Sequence, residues 1–227
     1  MTVTTTTSSR IPSFVRRKGR LSYAQERALQ HLLPVYGLPM ENPVIPTDMP
    51  LILEIGFGNG DNLLALAKRN PQNYYIGAEV YEAGIGTVLL GIEQEKLQNL
   101  RVVQGDAVLF LEKAMPHAAL DKILIFFPDP WHKKKHNKRR LIQESFIELV
   151  SQRLKPNGII HLATDWQPYA IQMLEELTHA KQFENTFGVG NYATTQIDRI
   201  ETKFERRGIR LGHGVWDLVF RKIAVPS

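Results

Sequence analysis

From Leu51 onward the chain alternates short apolar runs with amphipathic stretches. Leu51 to Ile55, Tyr74 to Val80, Arg101 to Gln104, Lys122 to Phe127 and Ile159 to Ala163 read as strands. Between and after them, Asn62 to Arg69, Ala83 to Leu97, Ala107 to Met115, Leu141 to Leu154 and Pro168 to Ala180 read as helices. The run after Lys122 is continuously apolar, as expected of a strand covered on both faces. Repeated βα units of this length predict a doubly wound, mostly parallel α/β sheet with helices on both faces. Lys155-Pro156-Asn157-Gly158 has turn chemistry and precedes the fifth strand. Gly214 to Arg221 gives one late strand, expected to join the sheet antiparallel.

The first fifty residues follow a different pattern. Residues 1–20 read as a basic arm, and Leu21 to Leu33 as a short helix with Tyr23, Ala24, Ala28, Leu29 and Leu32 near one face. Pro34, Pro39, Pro43, Pro46 and Pro50 then forbid a continuing helix and predict an extended linker. The expected organisation is therefore an appendage over 1–50 and one α/β domain over 51–227.

Composition narrows the chemistry. The chain has 227 residues and no cysteine, which excludes disulfides, thiolate metal sites and cysteine nucleophiles and suits a reducing, cytoplasmic setting. No apolar run approaches the roughly 18 residues of a membrane span. The opening run lacks the apolar stretch of a secretory signal; it is Ser/Thr-rich and acid-poor, as a transit peptide is, and reads in preference as a disordered tail. The net charge is +5, and its distribution is uneven. Arg10, Arg16, Arg17, Lys18 and Arg20 stand in the arm with no acid among them. Lys133, Lys134, Lys135, Lys138, Arg139 and Arg140 form a second block, which suits a phosphate backbone.

In a doubly wound sheet ligands bind beyond the carboxyl ends of the strands, so the residues just after each strand carry the chemistry. After the first strand stands Glu54-Ile55-Gly56-Phe57-Gly58-Asn59-Gly60-Asp61. The alternate glycines Gly56, Gly58 and Gly60 permit a tight turn and close approach of a ligand. Asp61 occupies the place where a dinucleotide fingerprint has its last glycine. With Glu54 it would repel a pyrophosphate and suit a cationic ligand such as a sulfonium. Glu79 ends the second strand, where a carboxylate can accept both hydroxyls of a ribose. Asp106 follows the third strand, where its side chain or the adjacent backbone could hold an adenine edge.

The fourth strand is followed by Phe127-Pro128-Asp129-Pro130-Trp131-His132. Two prolines stiffen the loop around Asp129, and Trp131 offers a ring for a base to stack on. His132 and His136 are four residues apart, but with lysines between them and no nearby carboxylate they do not make a metal site, and no metal is expected. Thr164-Asp165-Trp166 follows the fifth strand; Asp165 suits either a ligand contact or the N-cap of the next helix. A nicotinamide-dependent oxidoreductase, a non-catalytic RNA-binding protein and a methyltransferase for another base or for protein are the competing readings at this point.

These stretches resemble the bacterial tRNA (guanine-N7)-methyltransferase family. The resemblance runs through Leu53 to Gly60, Phe127 to Lys134, Lys138 to Arg140, Thr164 to Trp166, and a C-terminal run from Thr202-Lys203-Phe204-Glu205 to Arg210–Leu218. It spans roughly Leu51 to Phe220. It implies a class I methyltransferase fold, S-adenosylmethionine as methyl donor, and a guanine in the variable loop of tRNA as target. It implies cofactor roles for Glu54, Glu79, Asp106 and Asp129, with Asp129 also catalytic. It places substrate contacts at Lys133, Asp165, Thr202, Lys203, Phe204 and Glu205. Lys134, Lys135, Lys138, Arg139 and Arg140 are then expected to touch the RNA. A carboxylate among Asp129, Asp165 and Glu205 is expected to accept the N1–H and N2–H groups of guanine, a pattern adenine cannot match.

Overall fold

The computed structural model describes residues 11–14, 19–194, 199 and 214–223. Among them, strands β1 (Leu51–Ile55), β2 (Tyr74–Glu79), β3 (Leu100–Gln104), β4 (Leu120–Phe126) and β5 (Leu154–Thr164) pair in parallel. Two more, β6 (Phe183–Asn185) and β7 (Trp216–Lys222), complete the sheet antiparallel, in the order β3-β2-β1-β4-β5-β7-β6. The doubly wound sheet read from the hydrophobic pattern is thus the observed one, late antiparallel strand included.

Every residue of β1 is buried, because helices cover both faces of the sheet. On one face α3 (Asp61–Arg69) and α4 (Glu82–Glu95) pack around Leu63, Leu66, Ile85, Val88, Leu89 and Ile92. On the other, α5 (Ala107–Lys113), α6 (Glu144–Arg153) and α7 (Gln167–His179) supply Phe110, Leu111, Phe146, Ile147, Tyr169 and Met173. Each fully buried side chain of this kind contributes about 1.5–3 kcal/mol relative to exposure.

The N-terminal helix α1 (Tyr23–His31) is shorter than the pattern suggested, because a reciprocal capping box between Ser22 and Gln25 fixes its start. Gln25 Nε2 also donates to Ala83 O (3.1 Å) and Thr87 Oγ1 (3.0 Å), docking α1 on α4. After the single turn α2 (Leu33–Tyr36) the chain runs without helix or strand to β1, bending at residues 40–42 and 47–49. Gly37 bridges to Val102 and Leu38 N donates to Val102 O at 2.8 Å, so this segment covers the outer edge of β3.

Three local readings are corrected. The Lys155–Gly158 run is not a turn before β5 but lies inside it, at a register shift opposite Leu120 and Lys122, with Asn157 left-handed (φ 65°). Helix α6 begins at Glu144, not Leu141, because the backbone before it is bound elsewhere: Ile142 N donates to the Tyr169 hydroxyl at 3.1 Å. The basic block contains a 3-10 helix, Lys134–Arg139, and β6 is a strand too short for its pattern to reveal.

Candidate active site

The strand order reverses direction between β1 and β4, and a parallel sheet opens a crevice at that point beyond its strand tips. The registers Ile55↔Ala78, Glu79↔Gln104 and Ile55↔Ile125 bring the carboxyl ends of β3, β2, β1 and β4 to one edge. Asp106, Glu79, the glycine loop and Asp129 therefore stand side by side along adjacent strands. Main-chain bonds lock the edge: Gly56 N donates to Ala78 O at 2.8 Å and Gly105 N to Glu79 O at 2.9 Å.

The glycine loop has one packed side and one open side. Gly56, Gly58 and Gly60 all have positive φ (72°, 57° and 79°). A Cβ on Gly84 of α4 would stand 2.0 Å from Gly58 O, so the helix packs directly on the loop backbone. A Cβ on Gly56 or Gly58 would meet nothing within 4 Å, which leaves that side free for a ligand to reach the backbone. The Glu79 carboxylate closes one wall. It accepts from Gly58 N (2.9 Å), Val80 N (2.6 Å) and Tyr81 N (3.0 Å), so its direction is fixed. Asp106 caps α5 by accepting from Val108 N at 2.9 Å.

Glu54 behaves differently from the sequence expectation of a charge facing a ligand. It is 3% exposed and accepts from Asn62 Nδ2 at 2.9 Å. Burial outweighs that bond and pushes its pKa up to about 8, so at neutral pH most of it is protonated.

Beyond β4 the chain turns sharply. Phe127 and Trp131 both take left-handed backbone (φ 53° and 48°), a costly conformation for aromatic residues, and Phe127 N is held by Ala163 O at 2.8 Å. The two turns enclose Pro128, Asp129 and Pro130, and Asp129 is exposed. The His132 ring meets Trp166 edge-on with centroids 4.3 Å apart, so the Asp129 loop and the Asp165 loop lie against each other. Asp165 is exposed and does not cap α7; Trp166 holds that position, and its N–H donates to Thr164 Oγ1 at 3.2 Å. Trp131 is less free than its sequence suggested. Its Nε1 donates to Ser13 O at 3.1 Å, and the Arg139 guanidinium lies 4.9 Å from the ring centre. Lys133, Lys134, Lys135 and Lys138 are exposed. His136 leans on Trp131, and partial burial together with Lys135, Arg139, Lys133 and Lys138 lowers its pKa, so it stays neutral.

Residues 48–218 match the family model described as "Putative methyltransferase". The chain is 47% identical over 220 residues to the tRNA (guanine-N(7)-)-methyltransferase of Cronobacter sakazakii, covering 94% of this chain and 92% of that one. It is 49% identical over 218 residues to the protein of the same name from Methylococcus capsulatus, covering 94% of each. The chain belongs to the tRNA (guanine-N(7)-)-methyltransferase family. The solved structure of the 16S rRNA methyltransferase KamB matches with a TM-score of 0.56 over 95% of this chain and 99% of that one; at 14% identity it speaks to the fold alone.

Thr202, Lys203, Phe204 and Glu205 lie outside the described residues. Arg140 was expected to touch RNA, and the structure corrects this. Its side chain is 5% exposed, with Nε donating to Pro130 O at 2.8 Å and Nη1 to Gln172 Oε1 at 2.5 Å, and its guanidinium lies 4.8 Å from the Tyr169 ring centre. It braces the Asp129 loop from beneath. Arg140→Ala is expected to lower stability by about 1–2 kcal/mol, read as a urea midpoint, because it removes a buried side chain and leaves the half-buried Pro130 carbonyl and Gln172 amide oxygen without their donor; a midpoint within error of wild type would contradict the brace. The sequence reading also passed over His161, Asp217 and Arg199. A histidine inside an apolar strand, followed by an aspartate at the matching register of a later strand, was the available signal.

Proposed function

We propose that this chain transfers the methyl group of S-adenosylmethionine to the N7 atom of a guanine in the variable loop of tRNA, giving 7-methylguanosine. Family membership supports the reaction. The geometric observation that carries it is the exposed Asp129, fixed between two left-handed turns beside an open glycine loop and followed, after Pro130-Trp131-His132, by exposed lysines. A tRNA substrate goes with a cytoplasmic location, and among the described residues no helix is long and apolar enough to cross a membrane.

S-adenosylmethionine supplies an electrophilic methyl carbon on a sulfonium. The residues present fit that donor: Gly56 and Gly58 leave room for it, the Glu79 carboxylate, held by the N–H groups of Gly58, Val80 and Tyr81, would take the ribose hydroxyls at the tip of β2, and Asp106 stands at the adjacent strand tip. Guanine N7 carries a lone pair and no proton, so no general base is required. The positive charge passes from donor to base, the total is unchanged, and the protein's task is alignment and exclusion of water. The contact of their loops through His132 and Trp166 supports a role in which Asp129 or Asp165 accepts the pairing-edge donors of guanine and favours the cation that forms; Glu205, the third candidate, lies outside the described residues.

Lys133, Lys134 and Lys135 grip phosphates. Replacing all three by alanine is expected to weaken tRNA binding and to flatten the plot of log affinity against log salt by about one unit per lysine, with no change in melting temperature. An unchanged slope, measured by filter binding, would remove them from the interface. The function itself is tested by incubating the protein with bulk tRNA and methyl-labelled donor and analysing the nucleosides. Label in 7-methylguanosine is the expected result; label in any other nucleoside, or none, would overturn the reading.

A further inference from the structure

Behind the Asp129 loop lies a polar cluster that the reaction scheme above leaves unused. His161 on β5 is 3% exposed, and its Nε2 is 2.8 Å from Asp217 Oδ1 on β7. Arg199 grips the same carboxylate with two bonds, Nε to Oδ1 and Nη2 to Oδ2, each 2.7 Å. Burial alone would raise the Asp217 carboxyl; the bonds from Arg199 and His161 outweigh it and hold it below the usual range, so it stays ionised. Burial lowers the His161 pKa, so the ring is neutral and donates Nε2–H to Asp217.

The cluster adjoins the root of the catalytic loop. The registers Phe126↔Ala163, Leu124↔His161 and Ala163↔Asp217 put these residues on one face of the sheet. His161 meets the Phe126 ring edge-on at 4.9 Å. The guanidinium of Arg199 lies 6.0 Å from the centre of Phe126 and 5.8 Å from that of Phe127. Phe127 is the left-handed residue that begins the turn to Asp129, two positions on. A strained backbone persists only where its surroundings over-determine it, and here the Arg199 guanidinium lies within cation–π reach of both rings at its base. A planar cation that holds one carboxylate with two bonds while lying near two aromatic rings is a geometry lysine cannot reproduce.

We propose that Arg199, anchored by Asp217 and His161, is a positioning residue for methyl transfer: it holds Phe126 and Phe127 so that the turn delivers Asp129 to the cleft. The inference rests on the tRNA methylation reading. The same ion pair ties together chain positions 18 apart.

The test compares wild type, Arg199→Ala and Arg199→Lys for kcat and KM on tRNA, equilibrium affinity for S-adenosylmethionine, and melting temperature. A small misplacement of the reacting groups costs turnover far more than binding. Arg199→Ala is expected to lower kcat by about tenfold to a hundredfold, with donor affinity within about threefold of wild type. Arg199→Lys is expected to recover part of the loss, by keeping the charge without the fork. A kcat within about twofold of wild type in both variants would overturn the proposal, as would a loss matched by an equal loss of donor affinity. If Arg199→Ala does not fold, Arg199→Lys is judged alone by the same criteria. Wild-type protein that puts no label into tRNA would instead overturn the functional reading on which the proposal stands.

Discussion

Replacing Asp129 by alanine is expected to reduce methyl transfer to tRNA by about a hundredfold or more while leaving the melting temperature within a degree or two of wild type. The side chain is exposed, and among the described residues no side chain bonds it, so the fold has little to lose. The reaction has much to lose. A positive charge develops on the purine, and a preorganised acceptor that needs no reorientation is the largest kind of stabilisation a site offers. The two left-handed residues that flank the Asp129 turn represent strain, which makes sense only if the direction of that carboxylate matters. Asp165→Ala, assayed in parallel, separates the roles: if Asp165 reads the guanine edge, its loss raises KM for tRNA and leaves donor affinity alone. Near wild-type turnover in both variants would discard this assignment.

Glu54→Gln is expected to remove a pH dependence rather than an activity. The Glu54 pKa is about 8 in the folded protein against a usual 4.5. Between these values the native state holds a proton that the unfolded chain has already released. Stability therefore falls as pH rises across this window, by at most about 1.4 kcal/mol per unit, and the contribution of this group is level outside it. Glutamine keeps an acceptor for Asn62 and cannot ionise. The variant is expected to lose this part of the slope and to melt above wild type near the upper end of the window. A positively charged donor close to Glu54 would favour its ionised form, so wild-type donor affinity is expected to strengthen from acid pH up to about pH 8, and the variant's to stay flat. Parallel stability and affinity curves for the two proteins would sink the idea.

Much of the fold was legible in the sequence because it depends on short-range pattern. Short continuous apolar runs and period-3.6 hydrophobicity located β1 to β5 and the helices between them, and the rule that ligands sit beyond parallel strand tips singled out Glu79, Asp106 and Asp129. The run from Phe127 to Lys134 carried the family resemblance because a proline-framed aspartate beside a basic block is unusual in composition. Long-range pairing was less visible. Nothing adjacent to Arg140 in sequence marks it as different from Lys138 or Arg139. Its burial follows from Pro130 O, Gln172 and the Tyr169 ring, the last two supplied by α7 some thirty residues later.

By itself, then, the chain determined the βα order, the strand ends that carry acids and the position of its cations, because each is set by neighbours a few residues away. Tertiary structure alone decided which charges remain charges. It buried Glu54 under the glycine loop and raised its pKa, turned Arg140 inward as a brace, and joined Arg199, Asp217 and His161 from three separate stretches of chain. The physical reason is the same in each case: desolvation and pairing depend on what the fold brings alongside a group, and partners distant in sequence leave no local pattern to read.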